Sequence, residues 1–332
     1  MWRKRSPDRA ERGGEPVFST RKRLPEPVVA PAPTRDKPTA EEPGLYERHF
    51  GLTARPFALA PDPDTLFWTP AHRRAFAMLE YGIMTHAPIT LITGEVGSGK
   101  TTLLHHLLRS IENTVRIGLI SNPNGSRAEL LRWVLLSLGE PAAAEETYVD
   151  LFARFQDFLI AEYSKGRRVV LIFDEAQNLD EPALEGLRML TNMNAGKDEV
   201  LQLVLVGQPE LRTIILRPDL TQFAQRVASS FHLFAMNPAT VREYIRHRLI
   251  VAGASQDIFS APAIKAVHLA TGGVPRLVNQ LCDLAMVYAF SKGQKRVLTR
   301  TVQQVLKDGV FFGGGLGNVA PPSRFGPVNK AD

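Results

Sequence analysis

Apolar and polar positions along the chain follow two periods, and the place where one gives way to the other marks the architecture. Ile89-Thr90-Leu91-Ile92-Thr93, residues 115–120, Arg168-Val169-Val170-Leu171-Ile172-Phe173 and residues 201–206 are short, nearly continuous apolar runs rich in β-branched side chains. Runs of that kind fit strands buried on both faces, as in a parallel sheet. Phe231-His232-Leu233-Phe234 is a shorter fifth candidate. Between the runs, apolar residues recur at helical spacing: over 71–82, through Leu103, Leu104, Leu107, Leu108 and Ile111, and over 127–138, 148–164 and 181–192. Strands alternating with helices predict an α/β fold, a doubly wound parallel sheet.

Beyond Asn237 the strand signals stop and helix punctuation replaces them. Asn237-Pro238 offers an N-cap followed by proline at the first helical position, and Gly253 closes that helix. Ser260-Ala261-Pro262 opens a second helix ending at Gly272-Gly273, Val274-Pro275-Arg276 a third running to about 290, and 299–307 a fourth. A small all-helical lid domain therefore follows the sheet. The expected division is 1–44 as a basic tail, 45–236 as the α/β domain, 237–309 as the lid and 310–332 as a Gly/Pro-rich tail.

The tail is set apart by Arg3-Lys4-Arg5, Arg21-Lys22-Arg23 and many prolines, with few large apolar residues. Such a segment buries too little surface to offset its ordering entropy and is expected to be disordered. Its triplets suit a solvated tail or electrostatic docking to an anionic surface. Phe50-Gly51-Leu52-Thr53-Ala54-Arg55-Pro56-Phe57, with Pro61-Asp62-Pro63 beyond, reads as a turn-rich collar rather than regular structure.

Bulk properties narrow the class only modestly. At 332 residues, 44% hydrophobic and 22% charged, the chain has the composition of an ordinary globular protein with a sizeable core. Its single cysteine, Cys282, excludes an intrachain disulfide framework and fits a reducing cytoplasm, with the thiol buried in a helix. No apolar run approaches the length that crosses a bilayer, and the N-terminus lacks the apolar core of a secretory signal. A net charge of +6 permits contact with nucleic acid or anionic lipid without requiring it.

The chemistry is concentrated where apolar runs end. Gly94-Glu95-Val96-Gly97-Ser98-Gly99-Lys100-Thr101, followed by Thr102, has the spacing G-x-x-x-x-G-K-[ST] between a strand and a helix. Glycines let backbone N–H groups turn inward around phosphate oxygens, and the helix starting near Lys100 adds its positive N-terminal dipole. Lys100 suits the β- and γ-phosphates and the Thr101 hydroxyl suits Mg²⁺, so the loop binds a nucleoside triphosphate. Asp174 and Glu175 end the most apolar run, where ligands gather in open α/β sheets. Asp174 suits Mg²⁺ and Glu175 suits the general base for the attacking water, which favours hydrolysis over transfer. Gln208, at the end of the next run, suits holding that water or sensing the γ-phosphate. Arg226 is a candidate arginine finger for a neighbouring subunit's nucleotide, a device worth about 10³–10⁵ in rate, with Arg217 as the alternative. Arg276 lies in the first turn of a helix, where a cation opposes the dipole; contact with the γ-phosphate would account for that placement.

Taken in order, these residues resemble an AAA+ ATPase, and the resemblance is closer to the ExeA-like branch, the general secretion pathway A ATPases. The stretches that carry it are His49-Phe50-Gly51-Leu52 with Pro56-Phe57 and Pro61-Asp62-Pro63, the phosphate loop, and Phe173-Asp174-Glu175-Ala176-Gln177-Asn178-Leu179. Leu205-Val206-Gly207-Gln208-Pro209-Glu210-Leu211, Tyr244-Ile245-Arg246-His247-Arg248-Leu249 and Gly272-Gly273-Val274-Pro275-Arg276-Leu277 complete it. The resemblance implies ATP and Mg²⁺ as ligands and nucleotide-dependent self-association, as a homo-oligomeric ring with ATP between subunits. It further implies work in the cytoplasm, at the periphery of the inner membrane, on an envelope secretion, pilus or exopolysaccharide export system. ExeA-type proteins often continue into a membrane span and a peptidoglycan-binding module, whereas this chain stops, so an envelope role is expected to run through a membrane-associated partner. The rival expectation is a DNA-directed AAA+ regulator of transposition similar to TniB or TnsC. The basic balance suits that rival, and the lack of a helix-turn-helix or an aromatic–basic platform counts against it.

Overall fold

The computed structural model describes residues 44–59, 67–111, 114–143, 145–195 and 198–313. The basic tail with its two triplets, Pro61-Asp62-Pro63 and residues 314–332 lie outside the described residues. A five-stranded parallel sheet forms the centre, in the order β2 (Val115–Ser121), β3 (Arg168–Asp174), β6 (Leu201–Gly207), β1 (Ile89–Gly94), β7 (Val227–Leu233). The three inner strands are buried almost end to end, as their apolar runs require, whereas the edge strands β2 and β7 mix buried and exposed positions. That mixed pattern is why only the end of β7 reads as a strand in the sequence.

Side chains alternate across the sheet with period two and feed two cores. Leu91, Leu171, Phe173, Leu203 and Leu205 face a core built with α4 (Arg127–Ser137), α5 (Tyr148–Ser164) and α6 (Glu181–Leu190). Ile92, Val170, Ile172, Val204 and Val206 face the other, built with α2 (Pro70–Met84) and α3 (Lys100–Ser110). The helix starts follow capping chemistry. Ser126 and Thr147 form capping boxes with Glu129 and Asp150, and the Asp180 side chain accepts from Ala183 N–H. Each cap contributes about 1 kcal/mol. A two-stranded hairpin, β4 (Asn194–Ala195) and β5 (Asp198–Glu199), sits between α6 and β6.

Past β7 come α9 (Pro238–Val251), α10 (Ala261–Thr271), α11 (Pro275–Ser291) and α12 (Thr299–Lys307), which enclose a third core that includes Cys282. Two short helices, α7 (Pro209–Ile215) and α8 (Thr221–Ala224), lie between β6 and β7. The collar is turn-rich from Gly51 to Leu59, as its sequence predicts, and a short helix, α1 (Leu45–Phe50), ended by Gly51 in the left-handed region, leads into it. The buried side chains Phe50, Leu52 and Phe57 belong to the helical core and not to the sheet cores. Tyr46 Oη donates to Asp283 Oδ1 at 2.6 Å, Arg55 forks onto the same carboxylate, and Arg248 Nε donates to the Pro56 carbonyl at 2.7 Å. Placing residues 45–59 with the sheet, as the expected boundaries do, therefore separates them from the helices on which they pack. The cause is contact between residues some 190 to 240 positions apart, which no local pattern records.

Candidate active site

The carboxyl ends of the parallel strands meet at one edge of the sheet, and there the chemistry converges. β1 ends at Gly94 and α3 begins at Lys100. Between them Gly97 and Gly99 adopt φ of +78° and +102°, which a Cβ would resist, and the Ser98 N–H turns back onto the Glu95 carbonyl at 3.1 Å. Lys100 is buried, and its Nζ donates to the carbonyls of Gly94 at 2.7 Å and Glu95 at 3.0 Å. Burial pushes its pKa below the usual lysine range, against the nearby Glu175 and Asp174 carboxylates. An ammonium held this way gains by meeting an anion. Ser98 Oγ is buried without a hydrogen-bond partner. The inward glycine turn, the buried cation and the orphan hydroxyl together fit a polyphosphate.

Two strands away from β1, β3 ends in Asp174, with Glu175 directly after it. Asp174 Oδ2 accepts from Thr101 Oγ1 at 3.2 Å and Oδ1 from the Glu175 N–H at 3.0 Å. Burial pushes the Asp174 carboxyl above the usual aspartate range, a cost that a cation beside it would remove. A hydroxyl and a carboxylate are the hard oxygen donors that Mg²⁺ takes from proteins when phosphates and water supply the rest. Glu175 itself sits at φ +57°, a conformation that non-glycine residues hold only when their surroundings impose it. The surroundings are two amides: Gln177 Nε2 donates to Glu175 Oε2 at 2.6 Å, and Gln208 Nε2 to the same oxygen at 3.3 Å. Gln177 Oε1 in turn accepts the Gln208 N–H at 3.0 Å, closing the ring. β6 lies between β1 and β3, which is what brings Gln208 beside Glu175.

The far wall is the helical unit. Arg276, in the first turn of α11, donates its N–H to the Gly97 carbonyl at 3.2 Å. A cleft of about 390 Å³ runs between the phosphate loop, Glu175, Arg276 and the buried pair Tyr244–Asn279, with collar residues Ala58 and Leu59 also lining it. Tyr244 Oη donates to Asn279 Oδ1 at 2.7 Å. Val96, Gly97, Ser98, Gly99, Lys100, Thr101 and Thr102 all line this cleft, and Asp174 and Gln208 adjoin it through Thr101 and Glu175. The two finger candidates lie elsewhere. Arg226 Nη1 donates to Thr191 Oγ1 at 2.9 Å and to the Thr191 carbonyl at 3.2 Å, and Nη2 to Asn192. Arg217 pairs with Asp219 at 2.7 Å and Glu181 at 3.3 Å. Neither lines the cleft of its own chain.

Two contributors escaped sequence reasoning. Gln177 lies inside a motif string but carried no role, and His72, near the start of α2, contacts the phosphate loop from 26 residues away. The sequence signal for His72 is faint: a polar residue on the face of α2 that also carries Ala75, Leu79 and Ile83, the face packed on the sheet.

Residues 83–215 match a family model described as an AAA domain. Over 254 residues the chain is 38% identical to general secretion pathway protein A of Aeromonas hydrophila, covering 76% of this chain and 46% of that one. Over 168 residues it is 32% identical to the Mu-like prophage FluMu DNA transposition protein B of Haemophilus influenzae, covering 51% and 53%. The chain thus spans about half the length of these relatives. Among solved structures, Cdc6p from Pyrobaculum aerophilum superposes with a TM-score of 0.59 at 16% identity, over 80% of this chain and 71% of that one. Drosophila ORC bound to DNA does so with 0.56 at 16% identity, over 89% and 70%. At such identities the likeness concerns the fold.

A parallel sheet with this strand order, a phosphate loop on β1, an Asp-Glu end on β3 and a helical region after the sheet make up the P-loop fold of AAA+ proteins, and residues 83–215 carry the AAA domain match. Among AAA+ proteins the chain is similar to general secretion pathway protein A over three quarters of its own length.

Proposed function

We propose that this chain binds ATP with Mg²⁺ in the cleft between the phosphate loop and the lid, hydrolyses it, and couples turnover to self-association in service of an envelope secretion or assembly system. The observation that carries the hydrolytic part is the pinned Glu175 carboxylate, held by Gln177 and Gln208 beside a cleft that also contains Lys100 and Arg276. Lys100 and the backbone amides from Gly97 to Thr102 hold the β- and γ-phosphates. Thr101 and Asp174 hold the Mg²⁺, which neutralises phosphate charge when bound. Glu175 takes the proton of the attacking water, Gln208 fixes the carboxylate and reports on the γ-phosphate, and Arg276 brings the lid onto that phosphate. Arg226 acts in trans, reaching a neighbouring subunit's nucleotide, with Arg217 as the alternative.

The envelope assignment rests on the 38% identity to general secretion pathway protein A, of which this chain spans 46%. No helix among the described residues is long and apolar enough to cross a membrane, and a membrane-associated partner is part of this reading. A second reading, a regulator of DNA transposition, is favoured by the likeness to the FluMu transposition protein over half of this chain. The two are separated by ATPase rate and oligomer size measured alone, with duplex DNA and with anionic vesicles. The envelope reading expects no DNA stimulation; stimulation that vanishes at high salt would establish the second reading instead.

A further inference from the structure

The buried imidazole of His72 lies directly against the phosphate loop, and the mechanism above gives it no task. Its side of α2 is fixed by the helix start. Thr69 is the N-cap, its Oγ1 accepts the His72 N–H at 3.1 Å, and Pro70 occupies the first helical position. The ring then spans from Thr69 to the loop: Nδ1 lies 2.7 Å from Thr69 Oγ1 and Nε2 lies 3.1 Å from the Ser98 carbonyl oxygen. A carbonyl oxygen only accepts, so Nε2 carries the proton, and Nδ1 accepts from the Thr69 hydroxyl. Every polar atom of the pair is satisfied by this one tautomer. His72 is 6% exposed, and burial pushes its pKa below the usual histidine range, in keeping with a neutral ring.

The consequence follows from peptide geometry. In a trans peptide the C=O and the next N–H point in opposite directions, and the described backbone has no cis bond. Drawing the Ser98 oxygen onto His72 therefore turns the Gly99 N–H away from the imidazole and into the cradle. Gly99 has to be glycine on the same ground: its φ is +102°, and an added Cβ would lie 2.6 Å from His72 Nε2.

We infer that His72, oriented by Thr69, is a positioning residue that aims the Gly99 amide at the nucleotide's phosphates. Both of its ring nitrogens are taken, by Thr69 and by the Ser98 carbonyl, so it acts through the Ser98–Gly99 peptide. The inference rests on the ATPase reading of the cleft.

The test compares wild type, His72→Ala and His72→Gln in equilibrium binding of two probes, a fluorescent nonhydrolysable ATP analogue with Mg²⁺ and adenosine alone. Losing one well-aimed amide is expected to weaken the analogue about tenfold in His72→Ala. Adenosine affinity should stay within about twofold, since adenosine carries no phosphate for the cradle to hold. A glutamine at this position places its own Nε2 donor about as far out as the imidazole's, so His72→Gln should bind the analogue within about threefold of wild type. Equal losses for both probes, or no loss for the analogue, would overturn the inference. Nitrogen-15 NMR of the wild-type ring gives an independent reading should His72→Ala fail to fold. It should show the Nε2–H tautomer, and an Nδ1–H tautomer contradicts the inference. A wild-type chain that binds no triphosphate overturns the ATPase reading and this inference together, whereas wild-type binding with His72→Ala unaffected overturns this inference alone.

Discussion

The Arg276 N–H donates to the Gly97 carbonyl at 3.2 Å, so the first turn of the lid helix α11 is stitched to the middle of the phosphate loop by backbone alone. The approach is close enough that a Cβ on Gly97 would lie 2.4 Å from Arg276 Cβ. Through this contact, a nucleotide that adjusts the loop is expected to adjust the lid. The collar, packed in the helical core through Phe50, Leu52 and Phe57, is carried with it.

Gly97→Ala combines that collision with a φ of +78° and is expected to cost about 1–3 kcal/mol. Thermal unfolding should show a midpoint several degrees lower, and the variant should bind ATP more weakly. An unchanged midpoint would mean that the lid and loop are not in contact in solution.

Glu175→Gln keeps the shape of the site and removes the proposed base. ATP binding should persist while turnover falls about 10²–10⁴-fold, read by phosphate release under saturating ATP. Turnover near the wild-type rate would remove Glu175 from its proposed role.

Arg226→Ala tests assembly. Turnover per chain in the wild type should rise with protein concentration as subunits complete one another's sites, and the variant should bind ATP yet lose that dependence. Because Arg226 also holds Thr191 and Asn192 at the end of α6, a melting curve accompanies the assay. A wild-type rate per chain that is flat with concentration would sink the finger assignment.

Glu162 provides a pH signature remote from the site. It is buried, and the Arg167 fork with Lys165 holds its carboxyl down at about 2. A depressed folded-state pKa contributes stability that is present above the ordinary glutamate value of 4.5 and lost as pH falls toward 2. Both cations are partly exposed and screened, so Glu162→Gln should cost about 1–2 kcal/mol at pH 7. Denaturant titrations across pH should show the difference shrinking below 4.5. A gap independent of pH would mean that the carboxylate is unpaired.

Much of this was legible in the sequence, for a local reason. The inner strands are nearly continuous apolar runs, caps such as Ser126, Thr147, Asp180 and Asn237 announce their helices, and the phosphate loop is contiguous. Each of those signals is complete within a short stretch of chain. What was missed depends on segments far apart. β7 is an edge strand whose exposed face breaks its apolar run, α7 and α8 are too short for a periodicity to register, and the collar's partners lie in the lid. Gln177 acts through the Gln208 N–H and His72 through the Ser98 carbonyl, and hydrogen bonds to distant backbone leave no spacing rule behind.

The central claim is that ATP binds through this loop, and Lys100 tests it most directly. Equilibrium binding of ATP with Mg²⁺ should saturate for the wild type and weaken at least about 100-fold for Lys100→Ala, as expected for losing charge-assisted bonds to phosphate. Equal saturation of the two proteins would contradict the account.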